Sequence, residues 1–366
     1  MNMKILQLAH GTVFPEYISA YSLRVHSLIK KHDKKIVAIG GPVLKNFRSG
    51  ETIQYRAVLL MIYSFIKRNR SFEIYLSKGK FISKKIISEI KREIENSDII
   101  IYEGPWLYPL TEGFTKNKMI IYDAHNVEYE LRKNNIFREE TYKIEKSLVE
   151  NSSVIFSFTE NDAEKIKKLY SRNNVIVLRH IMDLPEYSWE GYNSRDIVFI
   201  GSIYSENIKA LEKIGEFAEN LKNFNFHIIG NLNRYPGRVK RKNIIYHGLL
   251  NEREKDRIMK ESFLALNPVT GGSGRNFKMV DYIFHGLPVL TTEIGARGFD
   301  DETRSLFYIE NIDYFVERIN EIDKNREELK DRSRKLYIQA KKIFENEYVD
   351  VDALIEKIYQ EYLKTR

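Results

Sequence analysis

The sequence predicts an α/β protein built from two Rossmann-like, doubly wound domains. Three observations carry that expectation. Apolar runs of strand length recur along the chain with helical segments between them, the pattern of a parallel sheet covered on both faces. Two of these runs, MKILQLAHG and DIVFIG, end in glycine and open a strand–loop–helix unit. The length of 366 residues suits two domains of ordinary size.

In chain order, the strand MKILQLAHG (3–11) leads to a helix over 20–31 and a second strand, KKIVAIGG. DIIIYEG (98–104), MIIYDAHN (119–126) and VIFSFTE (154–160) continue the first half. The polar stretch 183–195, with Pro185 and Gly191, reads as the linker. The second half opens with DIVFIGSIYSENIKAL (196–211), where Ala210, Leu211, Ile214 and Phe217 take helical spacing. FNFHIIGN (224–231), NIIYHGLL (243–250) and SFLALNPV (262–269) follow as strands. Residues 321–347 form one long charged helical run. The end, DALIEKIYQEYLK, puts Leu354, Ile355, Ile358, Tyr362 and Leu363 on one stripe. The expected boundaries are 1–185 for the first domain, 186–345 for the second, and 346–366 for a helix docking back on the first.

Composition removes several classes of function. There is no cysteine, so disulfides and thiolate chemistry are excluded. Residues 1–10 read as a strand and not as a secretory signal, and a cytoplasmic location is expected. The longest apolar run, AVLLMIYSFI at 57–66, is about half of the roughly 20 residues a membrane span needs. The net charge is +8. Residues 45–92 carry twelve basic residues against three acidic ones, so the positive excess belongs to one region.

The most informative stretch is PVTGGSGRNFKMVDYIFHGLPVLTTEIGARGFD, residues 268–300. Gly271, Gly272 and Gly274 permit a turn with backbone N–H groups pointing inward. Arg275 and Lys278 supply positive charge at the start of a helix, and Asp281 lies one turn further on. That combination suits a diphosphate joined to a hydroxylated sugar. The plainer alternative is a glycine turn followed by a solvated helix, since the spacing fits neither GxxxxGK[ST] nor GxGxxG.

This stretch resembles the signature of retaining GT-B glycosyltransferases of family 4. Phe199-Ile200-Gly201-Ser202 with Asn207 resembles the first strand and loop of the donor domain in that family. HIIGN and IYHGLL resemble its middle strands, and Tyr122-Asp123-Ala124-His125-Asn126-Val127-Glu128 resembles its YDAHNVE stretch. The resemblance implies two Rossmann-like domains facing a central cleft. It implies that Gly271, Gly272, Ser273, Gly274, Arg275 and Lys278 hold the donor diphosphate, and that Asp281 binds the ribose. Gly201, Ser202, Gly230, Asn231 and Leu249 would complete the donor side. His125 would face the transferred sugar, and His10, Gly11 and Thr12 would lie on the acceptor side. The implied reaction is retaining transfer from a nucleotide-diphosphate sugar, UDP ahead of GDP, to a glycan or lipid-linked acceptor in surface polysaccharide or glycoconjugate synthesis. The nucleotide sugar is a co-substrate, and no metal is needed.

The sequence departs from the family at Ser273, Asp281, Ser202 and Asn207, and near the N-terminus, where His10-Gly11-Thr12 stands in place of a double-glycine loop. Ser273 stands where many members carry a glutamate, Asp281 is shorter than the usual second glutamate, and Ser202 and Asn207 occupy positions often held by Arg and Lys. The changes at Ser202, Asn207 and Ser273 motivate one rival reading, a non-catalytic nucleotide- or glycan-binding subunit; a sugar-nucleotide epimerase, another GT-B enzyme class, is the other. A single His after a strand is commonly structural, and Asn126 could cap the following helix. Asp350-Val351-Asp352 reads as a cap and not as a metal-binding D-x-D. For residues 45–92 a solvated face is the default. An anionic membrane surface is the alternative partner, because 57–66 is flanked by Arg56, Lys67, Arg68 and Arg70. No nucleic-acid-binding module is visible, and no such partner is expected.

Overall fold

The computed structural model describes residues 3–14, 20–40, 45–67, 72–132, 136–179, 184–271 and 276–365. The chain forms two compact units, Met1–His180 with Val349–Arg366, and Ile181–Tyr348.

The first unit holds an eight-stranded sheet. Its strands are β1 (Lys4–His10), β2 (Asp33–Ile39), β3 (Phe47–Ser49), β4 (Thr52–Tyr55), β5 (Ile99–Glu103), β6 (Met119–Ala124), β7 (Val154–Ser157) and β8 (Val175–Val177). The order is β3-β4-β2-β1-β5-β6-β7-β8. Among the described residues only the β3–β4 pair is antiparallel. Alternation along each strand feeds both faces. Leu6, Leu8, Ile100, Tyr102, Ile120 and Tyr122 enter one buried cluster. Ile5, Ile99, Ile101, Met119 and Ile121 enter another. Because successive side chains point to opposite faces, such strands must be apolar at nearly every position.

The C-terminal helix Val351–Lys364 packs on the second of these clusters through Ile355 and Tyr359. Its two aspartates work as anchors. Asp350 accepts the backbone N–H of Ala353 at 3.1 Å as an N-cap, and Asp352 accepts those of Lys30 and Lys31 at 3.0 and 3.1 Å.

The second unit holds a six-stranded, wholly parallel sheet. Its strands are β9 (Asp196–Ile200), β10 (Asn225–Ile229), β11 (Ile244–Gly248), β12 (Leu264–Asn267), β13 (Val289–Thr291) and β14 (Tyr308–Ile309), in the order β11-β10-β9-β12-β13-β14. The stretch read as a linker packs here. Trp189 is buried, and its indole N–H donates to the Ser262 carbonyl at 2.8 Å. The charged run expected as one helix is two, Phe315–Lys324 and Arg326–Glu347, parted at Asn325.

In each unit the chain order of the strands reverses once near the middle, between β1 and β5 and between β9 and β12. At such switch points the loops leave the carboxyl ends of neighbouring strands in opposite directions and open a crevice. The residues singled out from the sequence gather at these two places.

Candidate functional site

In the first unit the site grows from the ends of β1, β5 and β6. His10 closes β1, Glu103 closes β5, and Asp123 and His125 lie at the end of β6. Parallel register sets Ala9 beside Glu103, and Tyr102 beside Tyr122. His125 Nε2 lies 2.8 Å from Glu103 Oε2 and 3.5 Å from Asp123 Oδ2. Arg24, on the helix Ala20–Ser27, grips Asp123 with two hydrogen bonds, Nε to Oδ2 at 2.7 Å and a terminal nitrogen to Oδ1 at 2.5 Å. Its remaining terminal nitrogen donates to the Leu178 carbonyl at 2.9 Å. The Arg24 guanidinium also lies over the Phe158 ring, 4.1 Å from its centroid.

The electrostatics follow from this packing. Burial opposes ionisation of Asp123, but the Arg24 charge and hydrogen bonds overcome it and hold the carboxyl below its ordinary value. Burial raises Glu103, and the Asp123 charge beside it adds to the rise. Burial pushes His10 down to about 3, with His125 adding in the same direction, so the His10 imidazole is neutral. Its Nδ1 lies 2.9 Å from the Glu103 carbonyl, which also accepts the Tyr21 hydroxyl at 3.2 Å. Gly104 makes this convergence possible, because its φ is +102° and a Cβ there would come within 2.9 Å of His10.

Glu103, Asp123 and His125 each place one ligand-type atom within 4.8 Å of the others. Arg24 already engages both oxygens of Asp123, so the group reads as a charge-compensated network in which the guanidinium takes the cation's place.

Gly11 donates its N–H to the Ile39 carbonyl at 3.0 Å, and its own carbonyl accepts from Gln54 Nε2 at 2.9 Å. Thr12 keeps a buried hydroxyl without a partner among the described residues. Asn126 is not the cap of the next helix. Glu145 accepts the N–H groups of Glu128 and Tyr129, both at 3.0 Å, and so satisfies the helix start from elsewhere in the chain.

In the second unit the site gathers around the β9–β12 switch. Gly230 follows β10 with φ +110°, and a Cβ there would sit 2.1 Å from the Gly201 carbonyl oxygen, so only glycine fits. Asn231 accepts the Ile203 N–H at 2.7 Å and pins the loop after β9, while Leu249 follows β11 half-buried. Gly271 lies against the Glu206 carboxylate. Gly272, Ser273, Gly274 and Arg275 lie outside the described residues.

Lys278 sits on the helix Phe277–Phe284, which follows β12. Its Nζ donates to Asn207 Oδ1 at 2.7 Å, and Asn207 donates to the Ser202 carbonyl at 3.0 Å. The ammonium also lies 4.3 Å from the centroid of the Phe199 ring. Among the described residues no carboxylate pairs with it, and burial pushes it down to about 7. Ser202, Asn207 and Lys278 therefore form one chain of contacts. Lys209 pairs instead with Glu206 at 2.9 Å.

Asp281 lies one turn beyond Lys278 and is 7% exposed. Its Oδ2 receives Lys255 Nζ at 2.9 Å, while Oδ1 has no hydrogen-bond partner among the described residues. Lys255 also reaches Glu252 at 2.7 Å. Burial opposes charge on Lys255, but Asp281 and Glu252 win and raise it. His285 stands behind, with Nδ1 2.7 Å from the Asp281 carbonyl and Nε2 3.0 Å from Asp256.

Residues 194–325 match the model of the family described as Glycosyl transferases group 1. Among solved structures, HepE of Anabaena in complex with UDP and glucose aligns over 100% of this chain and 99% of its own, at 11% identity and TM-score 0.64. Sucrose-phosphate synthase of Thermosynechococcus elongatus aligns over 98% and 100%, at 8% identity and TM-score 0.63. The fold is GT-B. A TarM mutant of S. aureus in complex with Fondaparinux, alpha-GlcNAc-glycerol and UDP is 16% identical at TM-score 0.53. That alignment covers 75% of this chain and 58% of the TarM chain. No curated protein matches the sequence. Residues 194–325 are thus similar to the group 1 glycosyltransferase family within a GT-B fold, and Lys278 and Asp281 lie inside the matched stretch.

Sequence reading passed over Arg24, Glu103 and Lys255. Glu103 left a usable signal, an acid ending the wholly apolar run IIIY. Lys255 left none, because it meets Asp281 across 26 residues.

Proposed function

We propose that the protein is a retaining glycosyltransferase that moves a sugar from a nucleotide-diphosphate sugar to a glycan or lipid-linked acceptor. The observation that carries this reading is Lys278, a half-buried ammonium with no acid beside it among the described residues, within the stretch that matches the group 1 glycosyltransferase model. A buried cation without a counter-ion is costly unless a ligand supplies the negative charge. A departing nucleoside diphosphate is such a ligand. Lys278 would stabilise the charge developing on it, Asp281 would turn Oδ1 toward a ribose hydroxyl, and His125 would attend the transferred sugar. A UDP-sugar is preferred over a GDP-sugar, in keeping with the UDP bound in the HepE and TarM structures.

The test is a thermal-shift panel with UDP, GDP, ADP and CMP and their sugar derivatives. A ligand at about 100 times its Kd should stabilise the native state by roughly 2.7 kcal/mol. A response to UDP alone fixes the donor base, and the anomeric configuration of the product then decides retention. No response to any diphosphate would sink the reading. The Lys255 contact to Asp281 favours one second reading, a nucleotide-binding subunit without transfer. Donor hydrolysis by the wild type that Lys278→Ala abolishes would exclude it.

The proposal extends to where the acceptor is met. The helix Val58–Ile66 buries Leu60 and Ser64 but leaves Leu59, Ile62, Phe65 and Ile66 between 50% and 85% exposed. Lys67 and Lys80 flank the Tyr63 ring on the same patch. No helix among the described residues is long and apolar enough to cross a membrane. An apolar helix face with a basic border fits the interface of an anionic bilayer. Vesicles containing phosphatidylserine should float the protein at low salt, and Phe65→Ser with Ile66→Ser should abolish flotation. Flotation that is absent, or unchanged in the double variant, would reject this extension.

A further inference from the structure

Glu103 is the centre of the first unit's site, yet the reaction above gives it no part. It is wholly buried. Its Oε1 accepts Gln7 Nε2 at 2.7 Å, and the same Gln7 nitrogen donates to the Val25 carbonyl at 2.8 Å, so two acceptors fix the amide. Gln7 Oε1 is left buried without a partner among the described residues, which marks the nitrogen side as the one being used. The other oxygen, Oε2, faces His125 Nε2 at 2.8 Å. The Asp123 carboxylate approaches that same nitrogen at 3.5 Å, while Arg24 holds Asp123 in place.

An ionised carboxylate accepts hydrogen bonds and cannot donate them. The Arg24-held Asp123 carboxylate at 3.5 Å and the Glu103 carboxyl at 2.8 Å both lie on the Nε2 side, so a ring with one proton is favoured with it on Nε2, which leaves Nδ1 bare. The Tyr21 and Phe158 rings lie 4.6 and 5.4 Å from the His125 ring, centroid to centroid, and limit its rotation. We infer that Glu103 is a positioning residue: it fixes His125 in the Nε2–H tautomer and leaves Nδ1 to accept a hydrogen bond from a hydroxyl of the transferred sugar. Its role in transfer rests on the glycosyltransferase reading, whereas the tautomer does not.

The test is nitrogen-15 spectroscopy of histidine-labelled protein, with His125→Asn assigning the signal among the eight histidines. The wild type should show a protonated Nε2 and an unprotonated Nδ1 for His125. Glu103→Gln should disturb that pattern, because its amide can present N–H to the ring. Its kcat should fall on the order of 100-fold, as misplacement of a reacting group does. UDP affinity should stay within about twofold, since the residues proposed to hold UDP, Lys278 and Asp281, lie in the second unit. Glu103→Asp should restore part of kcat and part of the wild-type spectrum. A wild-type His125 protonated on Nδ1 would overturn the inference, as would a Glu103→Gln variant with unchanged tautomer and kcat. If Glu103→Gln does not fold, the wild-type spectrum alone still decides the tautomer. If no sugar donor is turned over, the glycosyltransferase reading falls while the spectra still decide what Glu103 does to His125.

Discussion

Replacing Lys278 with alanine is expected to lower kcat/KM for sugar transfer by about 10²- to 10³-fold, the usual cost of removing a preorganised electrostatic donor. The ammonium is half-buried and, among the described residues, has no acid beside it. A diphosphate beside it would favour the protonated form, so its pKa should rise from about 7 when UDP binds. Between the free and bound values, binding takes up a proton. UDP affinity should therefore weaken as pH climbs above about 7, with a limiting slope of about tenfold per pH unit. Calorimetry near pH 8 in two buffers of different ionisation enthalpy measures that uptake. Equal observed binding heats in the two buffers, or undiminished UDP affinity in Lys278→Ala, would refute the assignment.

The same lysine should cost stability in the absence of ligand. An unfolded lysine holds its proton to about pH 10.4, whereas the folded chain releases it near 7. Between these values the unfolded state binds more protons, so folded stability rises with pH across that window. Below it, the full cost of burying the charge is present. Lys278→Met should therefore raise the Tm of the free protein, and by more at pH 6 than at pH 9. Loss of activity together with a gain in stability is the pattern of a site strained for function. A lower Tm at pH 6 would show that Lys278 is structural.

How far the site could be read from sequence depends on where its contacts come from. The strands were legible, because the apolar alternation that builds a doubly covered sheet is local. Lys278 and Asp281 were legible for a similar reason: one turn of the helix Phe277–Phe284 separates them. The partners of these residues were not. Asn207 reaches Lys278 across 71 residues, Lys255 reaches Asp281 across 26, and Arg24 reaches Asp123 across 99. Such pairs arise from strand order, which the sequence does not print. The helix starting at Glu128 makes the same point. Asn126 stood in a plausible capping position, but Glu145 takes the N–H groups, because Tyr122 and Tyr170 hold its carboxylate in place at 2.9 and 2.6 Å. The split of the charged run at Asn325 was also hidden, since a polar surface has no periodicity to interrupt.

Arg24→Leu is expected to be the most destabilising single change, at about 3–5 kcal/mol, because it leaves a buried carboxylate without its cation. Arg24 and Asp123 are 2% and 0% exposed, so water cannot replace the lost partner. The ordinary aspartate value lies near 3.9, and Arg24 holds Asp123 below it. In the wild type this contribution is present above about pH 3.9 and is lost as pH falls through the folded value. The variant should behave in the opposite sense. Without the guanidinium, burial raises Asp123, so the variant loses stability as pH rises from about 4 and recovers part of it in acid. The double variant Arg24→Leu with Asp123→Leu should be less destabilised than Arg24→Leu alone, because no charge is then buried unpaired. Midpoints of urea unfolding at pH 4.5 and pH 7.5 measure all three effects. A loss below about 1 kcal/mol, the range of exposed pairs, would show that the pair is solvated in solution. A large loss in Arg24→Leu that is relieved in the double would establish that Arg24 is present to neutralise Asp123. The Glu103–His125 pair, which shares Asp123 as a neighbour, would then owe its placement to a cation contributed by the helix Ala20–Ser27.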